Sequence, residues 1–176
     1  NKKKNNMSKE LRPTSSKVLS AIFSIIGQNG LSEKKIIDMF AGTGNFGISS
    51  IKRGATEVSF LEINYKRCTE ISKKLKKLQD SGKFHVIRGD IPKTITKITH
   101  KADFIFIDPP YSHILFEKIM KSLLENNILI STSIIIIEHS NKVTLPDSYP
   151  GLILRSRKRY GDSALTLFQS DKKYIS

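Results

Sequence analysis

The chain has 176 residues, enough for one domain with its own core and too few for several. Lysine and arginine outnumber aspartate and glutamate by 30 to 16, a net charge of +14 that favours a polyanionic partner, nucleic acid before membrane. A single cysteine, Cys68, excludes an internal disulfide framework, and no apolar run approaches the ~20 residues of a membrane span, so the expectation is a cytoplasmic protein with no membrane partner.

Residues 1–10 are polar and rich in Asn and Lys, and read as a basic N-terminal arm. The chain starts at Asn1 rather than Met, so a few residues are expected to precede it. Residues 11–176 read as one domain. Pro13 and Thr14 open a helix with Val18, Leu19, Ile22, Phe23, Ile25 and Ile26 at helical spacing, stopped by Gln28-Asn29-Gly30. A buried strand is predicted over Lys35 to Phe40, then a glycine-rich turn and a helix from Asn45 to Lys52. The next strand is Val58 to Glu62. Residues 64–80 predict an amphipathic helix with Cys68, Ile71, Leu75 and Leu78 inward. Strands follow at Phe84 to Arg88 and Phe104 to Asp108, a helix through Leu115, Phe116, Ile119, Met120, Leu123 and Leu124, and an isoleucine-rich strand from Ser133 to Glu138. Leu152 to Lys158 and Ala164 to Gln169 predict two final strands around Tyr160-Gly161-Asp162. Strands alternating with helices and then pairing with each other imply an α/β layered fold, mostly parallel, with a closing hairpin.

The positive charge is clustered. Residues 1–17 and residues 63–83 each carry a net +5, and Arg155, Arg157, Lys158 and Arg159 form a third group beside Tyr160. Clusters at both ends of the chain suit phosphate contacts, which give affinity without choice of sequence.

Gly42-Thr43-Gly44-Asn45-Phe46-Gly47 follows a strand and opens a helix, as a nucleotide-binding loop must. Glu62 ends the next strand 20 positions after Gly42, where a carboxylate can accept ribose hydroxyls. Those two features alone suit a nicotinamide dinucleotide or S-adenosylmethionine equally. Asp38, just ahead of the loop in Asp38-Met39-Phe40-Ala41-Gly42, suits a ligand with a positive amino group and would repel a pyrophosphate. Asp90 ends the third strand, where it can accept from an adenine amine. Three acids in register with the loop favour S-adenosylmethionine.

Asp108-Pro109-Pro110-Tyr111 follows a strand. Two prolines stiffen the backbone and leave carbonyls free to accept. A carboxylate, a rigid carbonyl and an aromatic ring together can hold an exocyclic amine by its two hydrogens while the base stacks. Such bonds help a delocalised amine pyramidalise and attack a methyl group, so orientation and preorganised electrostatics carry the expected catalysis.

This tetrapeptide with the glycine loop resembles the class I S-adenosylmethionine-dependent amino-methyltransferases. Arg12-Pro13-Thr14 with its helix, Asp38 to Gly44, Asp108 to Tyr111, Glu138 and the Arg159-Tyr160-Gly161-Asp162 hairpin are similar, more narrowly, to the RsmD family, over about Leu11 to Gln169. The resemblance implies a Rossmann-like fold with a mostly parallel seven-stranded sheet, a C-terminal antiparallel hairpin and helices on both faces. It implies methyl transfer to a guanine N2 of 16S ribosomal RNA, with 16S RNA or the small ribosomal subunit as partner. By position, Asp38, Phe40, Ala41, Gly42, Thr43, Gly44, Gly47, Glu62 and Asp90 would hold S-adenosylmethionine. Asp108, Pro109, Pro110 and Tyr111 would be catalytic. Arg12, Pro13 and Thr14, beside the methionine end, would contact substrate with Arg159 and Tyr160.

Two alternatives compete: a DNA adenine-N6 or cytosine-N4 methyltransferase, for which the chain has no room for a target-recognition insertion, and a non-catalytic RNA-binding assembly factor, against which the intact tetrapeptide speaks. His85, His100, His113 and His139 are scattered without ligand spacing, so no metal is expected. Nothing in the sequence points to an obligate dimer, and a monomer is expected.

Overall fold

The computed structural model describes residues 16–27, 30–78, 80–109 and 113–175. Ten elements build the domain body: α1 (Ser16–Ile26), β1 (Lys35–Met39), α2 (Asn45–Ile51), β2 (Glu57–Glu62), α3 (Tyr65–Lys77), β3 (Lys83–Arg88), a 3-10 turn (Lys93–Lys97), β4 (Ala102–Ile107), α4 (His113–Glu125) and β5 (Leu129–Ser140). The closing strands are β6 (Ser148–Tyr149), β7 (Leu152–Tyr160) and β8 (Ser163–Ser170). The strand order is β3-β2-β1-β4-β5-β8-β7-β6. β1 to β5 pair in parallel; β8 enters antiparallel to β5, and β7 and β6 continue antiparallel from it. The described sheet therefore has eight strands rather than seven, because Ser148 and Tyr149 add a two-residue edge.

Alternation along the strands splits the core in two. Ile37, Met39, Ile105, Ile107, Ile135 and Ile137 pack with α4 and the 3-10 turn on one face. Ile36, Val58, Phe60, Phe104, Phe106 and Ile136 pack with α1, α2 and α3 on the other. This is why β1, β4 and β5 carry buried apolar residues at successive positions: both faces are covered. Phe46, part of the glycine loop motif, belongs to this second core, its ring stacked at 5.7 Å on Phe23 and 4.7 Å from Phe106. Cys68 is buried there on α3.

The predicted elements recur with two shifts at functionally placed ends. β1 stops at Met39, not Phe40, because Phe40 turns left-handed at φ 58° and redirects the chain into the glycine loop. β4 stops at Ile107, leaving Asp108 just beyond the last ladder residue.

Candidate active site

Strand order reverses between β1 and β4, since β1 connects outward to β2 while β4 lies on its other side. A parallel sheet binds its ligands in the crevice at such a switch, beyond the carboxyl ends of the strands. The register brings four carboxylates to that edge. Met39 pairs with Leu61 and Ile107, and Ile107 with Ile137, so Glu62, Asp108 and Glu138 each stand one residue past a matched row, with Asp38 one step inside it.

Each acid near the loop has an assigned donor. Gly47 N–H donates to Asp38 Oδ2 at 2.9 Å, and Gly42 N–H to Glu62 Oε2 at 2.8 Å. Glu62 Oε1 accepts from Asn64 N–H at 2.8 Å and lies 3.8 Å from Arg67. Both carboxylates are almost fully enclosed, Asp38 at 2% exposure and Glu62 at 4%. They therefore shape the loop from behind. Two loop amides thus already serve protein carboxylates, and a buried acid behind the loop suits a ligand with a cationic end better than a pyrophosphate. Burial pushes the Asp38 carboxyl from 3.8 up to about 8, with further push from Asp108 and Glu62 against the pull of the Gly47 N–H. A cation seated beside it would draw that proton off.

The glycines have separate reasons. Gly44 sits at φ 74°, a left-handed position that ends the turn ahead of α2. Gly47 faces β2 so closely that a Cβ would run into the Phe60 ring. The third glycine of the motif thus serves helix–strand packing. Thr43 presents its carbonyl to Lys74 Nζ of α3 at 2.6 Å. Ala41 is buried, and its N–H donates to Leu61 O at 3.0 Å, tying the loop back to β2.

Asp90 follows Gly89 at the exposed end of β3, its backbone carbonyl accepting from Thr94 N and Oγ1. Asp108 is half-buried and Pro109 buried. Asp108 acts electrostatically on both Asp38 and Glu138, which places the end of β4 between them. Arg159 is exposed near the end of β7, and Tyr160 packs half-buried against the α1–α3 core. Arg12, Pro13, Thr14, Pro110 and Tyr111 lie outside the described residues. Among the described residues no group of three or more His, Cys, Asp or Glu could hold a metal ion, and no helix is long and apolar enough to cross a membrane.

Three features escaped the sequence reading. Ile63, 67% exposed beside Glu62, offers an apolar plate at the mouth of the crevice; an apolar residue directly after the strand-ending acid was the available signal. Lys74 clamps the loop from a helix 31 residues away, which no local pattern announces. Arg157, counted among the phosphate contacts, instead ties β7 to the preceding loop. Its guanidinium donates to Asp147 at 2.8 Å and to the Leu145 and Pro146 carbonyls.

A doubly covered sheet with this switch point, loop and acid row defines the class I methyltransferase fold. A conserved hypothetical protein from Streptococcus pyogenes superposes with a TM-score of 0.79 at 25% identity, covering 90% of this chain and 98% of that one. A magnesium protoporphyrin IX methyltransferase from Synechocystis with bound S-adenosylmethionine superposes at 0.65 with 14% identity, over 88% of this chain and 79% of that one. Residues 2–169 match the family described as conserved hypothetical protein 95. The ribosomal RNA small subunit methyltransferase D of Buchnera aphidicola subsp. Baizongia pistaciae is 30% identical over 155 residues, 86% of this chain and 77% of that protein. The chain belongs to this RsmD family, and it is a methyltransferase.

Proposed function

We infer that this protein methylates the exocyclic N2 amine of a guanine in small-subunit (16S) ribosomal RNA. One observation supports this reading above the others: Asp108 and Pro109 directly follow β4 at the switch point, next to the acid-backed glycine loop. The relatives named as ribosomal RNA small subunit methyltransferases support the choice of RNA. So does an exposed basic face on α3, where Lys66, Lys73, Lys76 and Lys77 reach solvent.

In this reading Asp38 faces the amino end of the cofactor, Glu62 the ribose and Asp90 the adenine amine. Phe40, Ala41, Gly42, Thr43, Gly44 and Gly47 form the turn around it, and Ile63 covers the adenine plane. Bound there, S-adenosylmethionine supplies a methyl group on a cationic sulfur. The Asp108 carboxylate and the Pro109 carbonyl accept the two N–H bonds of the guanine amine, freeing its lone pair from the ring. Pro110 keeps that carbonyl rigid, and Tyr111 stacks on the base. The carboxylates stabilise positive charge that builds on the amine as it reacts, which is preorganised electrostatics rather than proton abstraction. Arg12, Pro13, Thr14, Arg159 and Tyr160 contact the RNA around the splayed base.

Transfer of radiolabelled methyl groups to small subunits lacking the modification, followed by nucleoside analysis, tests this. N2-methylguanosine is expected; label in another nucleoside overturns it.

A further inference from the structure

Glu138 is the one acid of the carboxyl edge that the reaction above does not use. It stands one residue past the last β4–β5 pair, Ile107 with Ile137, beside Asp108. It is 8% exposed, and its Oε2 atom is shut from water without a hydrogen-bond partner. Leaving a buried carboxylate oxygen unmet is costly, and native proteins seldom keep such a group without a use. Burial and the neighbouring Asp108 charge raise the carboxyl to about 7, while the Ser163 side chain on β8 pulls the other way. Around it β5 and β8 present His139, whose ring nitrogens engage Ser140 O at 2.9 Å and Thr166 Oγ1 at 2.8 Å. Among the described residues no lysine or arginine forms an ion pair with Glu138.

The position relative to Asp108 suggests what the oxygen meets. A guanine held by its N2 amine at Asp108 presents N1–H on the adjacent edge of the ring. Adenine and cytosine carry a bare lone pair at the equivalent ring nitrogen. A carboxylate accepts from N1–H and is repelled by a lone pair.

We propose that Glu138 is a specificity-determining residue that accepts the N1–H of the target guanine, so that the site reads guanine through a second carboxylate beside the one that holds the amine. The proposal rests on the guanine-N2 reading above. It accounts for the orphaned oxygen and its place next to Asp108. It also makes the buried carboxylate an element of substrate choice rather than of methyl-donor binding.

The test compares guanosine with 2-aminopurine riboside at the mapped target position. 2-Aminopurine keeps the exocyclic amine but has a lone pair at N1. The assay uses whichever of an RNA fragment or a reconstituted small subunit the wild-type enzyme methylates. Wild type is expected to prefer guanosine by about a hundredfold in kcat/KM, the scale of one buried acceptor left unmet. Glu138→Gln keeps the shape but offers an amide that can accept from N1–H or donate to a lone pair. The preference is expected to fall by about tenfold or more, with an unchanged S-adenosylmethionine Kd. An unchanged preference in Glu138→Gln overturns the proposal while the guanine reading stands. An equal loss on both bases, with Tm lowered, marks a structural role and also overturns it. Absence of N2-methylguanosine from wild type removes the guanine reading itself, and the proposal with it.

Discussion

The two ends of the same parallel sheet treat charge in opposite ways. At the amino ends of the strands each acid meets a base: Lys34 Nζ lies 3.0 Å from Asp103, Lys35 Nζ lies 3.0 Å from Glu57, and His85 lies 3.6 Å from Glu57. Lys35 and the His85 and His100 rings hold the Glu57 carboxyl below its ordinary range despite its burial. At the carboxyl ends Asp38, Asp108 and Glu138 face one another, and Asp38 and Glu138 are pushed far upward. Glu57 at the amino end is held down by bases, whereas Asp38 and Glu138 at the carboxyl end are raised by burial and by neighbouring acids. In a chain of net charge +14 the acids of the crevice are conspicuous, because among the described residues no base is set against Asp38.

The largest effect expected at the carboxyl pole is from Asp108→Ala. Methyl transfer should fall by roughly 10²–10³-fold or more, with S-adenosylmethionine binding by calorimetry largely kept. Equal loss of both would move Asp108 into the cofactor site. Glu62→Ala should raise the S-adenosylmethionine Kd by about ten- to a hundredfold and lower Tm, since the Gly42 and Asn64 amides lose their acceptor together. An unaltered Kd would reduce Glu62 to a loop brace.

Asp38→Asn sharpens the contrast through pH. Because the folded Asp38 pKa is raised from 3.8 to about 8, the folded state favours the protonated form. The associated stability is complete below about pH 4 and is lost as pH rises through 8. Asn keeps an acceptor for Gly47 without the charge. Ligand-free Asp38→Asn should therefore lose less Tm than wild type between pH 4 and 8, and parallel melting profiles would contradict the assignment. The smallest effect belongs to the amino pole. Glu57→Gln should cost about 1 kcal/mol or less, because the Lys35 partner is half exposed. The Glu57 pKa is depressed, so that cost should appear above pH 4.5 and vanish as pH falls through the folded value, with kcat unchanged. A change in kcat would break the division of the sheet into a structural and a functional end.

Much of this was legible in the residues. The strand periods of β1, β2, β4 and β5, the apolar spacing of α1, α3 and α4, and the closing hairpin all follow from local pattern. So did the candidate acids, because the end of a strand is a position that sequence marks. Their bonding was hidden. The Gly42 amide and Glu62 are 20 residues apart, Lys74 and Thr43 are 31 apart, and Arg157 is tied to a loop ten residues earlier. Such contacts depend on how elements stack, and a one-dimensional period carries no record of that. The left-handed Phe40 was hidden for a different reason: a bulky residue is a poor predictor of positive φ, and only the need to turn from strand to loop holds it there.

The insertion of β8 between β5 and β7 has a consequence for the order of assembly. Ser140 of β5 pairs with Ser163 of β8, so the side of the crevice that holds Glu138 is walled by a strand synthesised among the last of the domain. A nascent chain extending only through β5 already carries the glycine loop and the Asp108 tip, yet it has an open flank where β8 belongs. Donor-binding parts are thus translated well before the pocket is enclosed, and the enzyme can become competent toward RNA only after the closing hairpin has left the ribosome and docked. The crevice is in that sense complete only once the closing hairpin has been translated and docked.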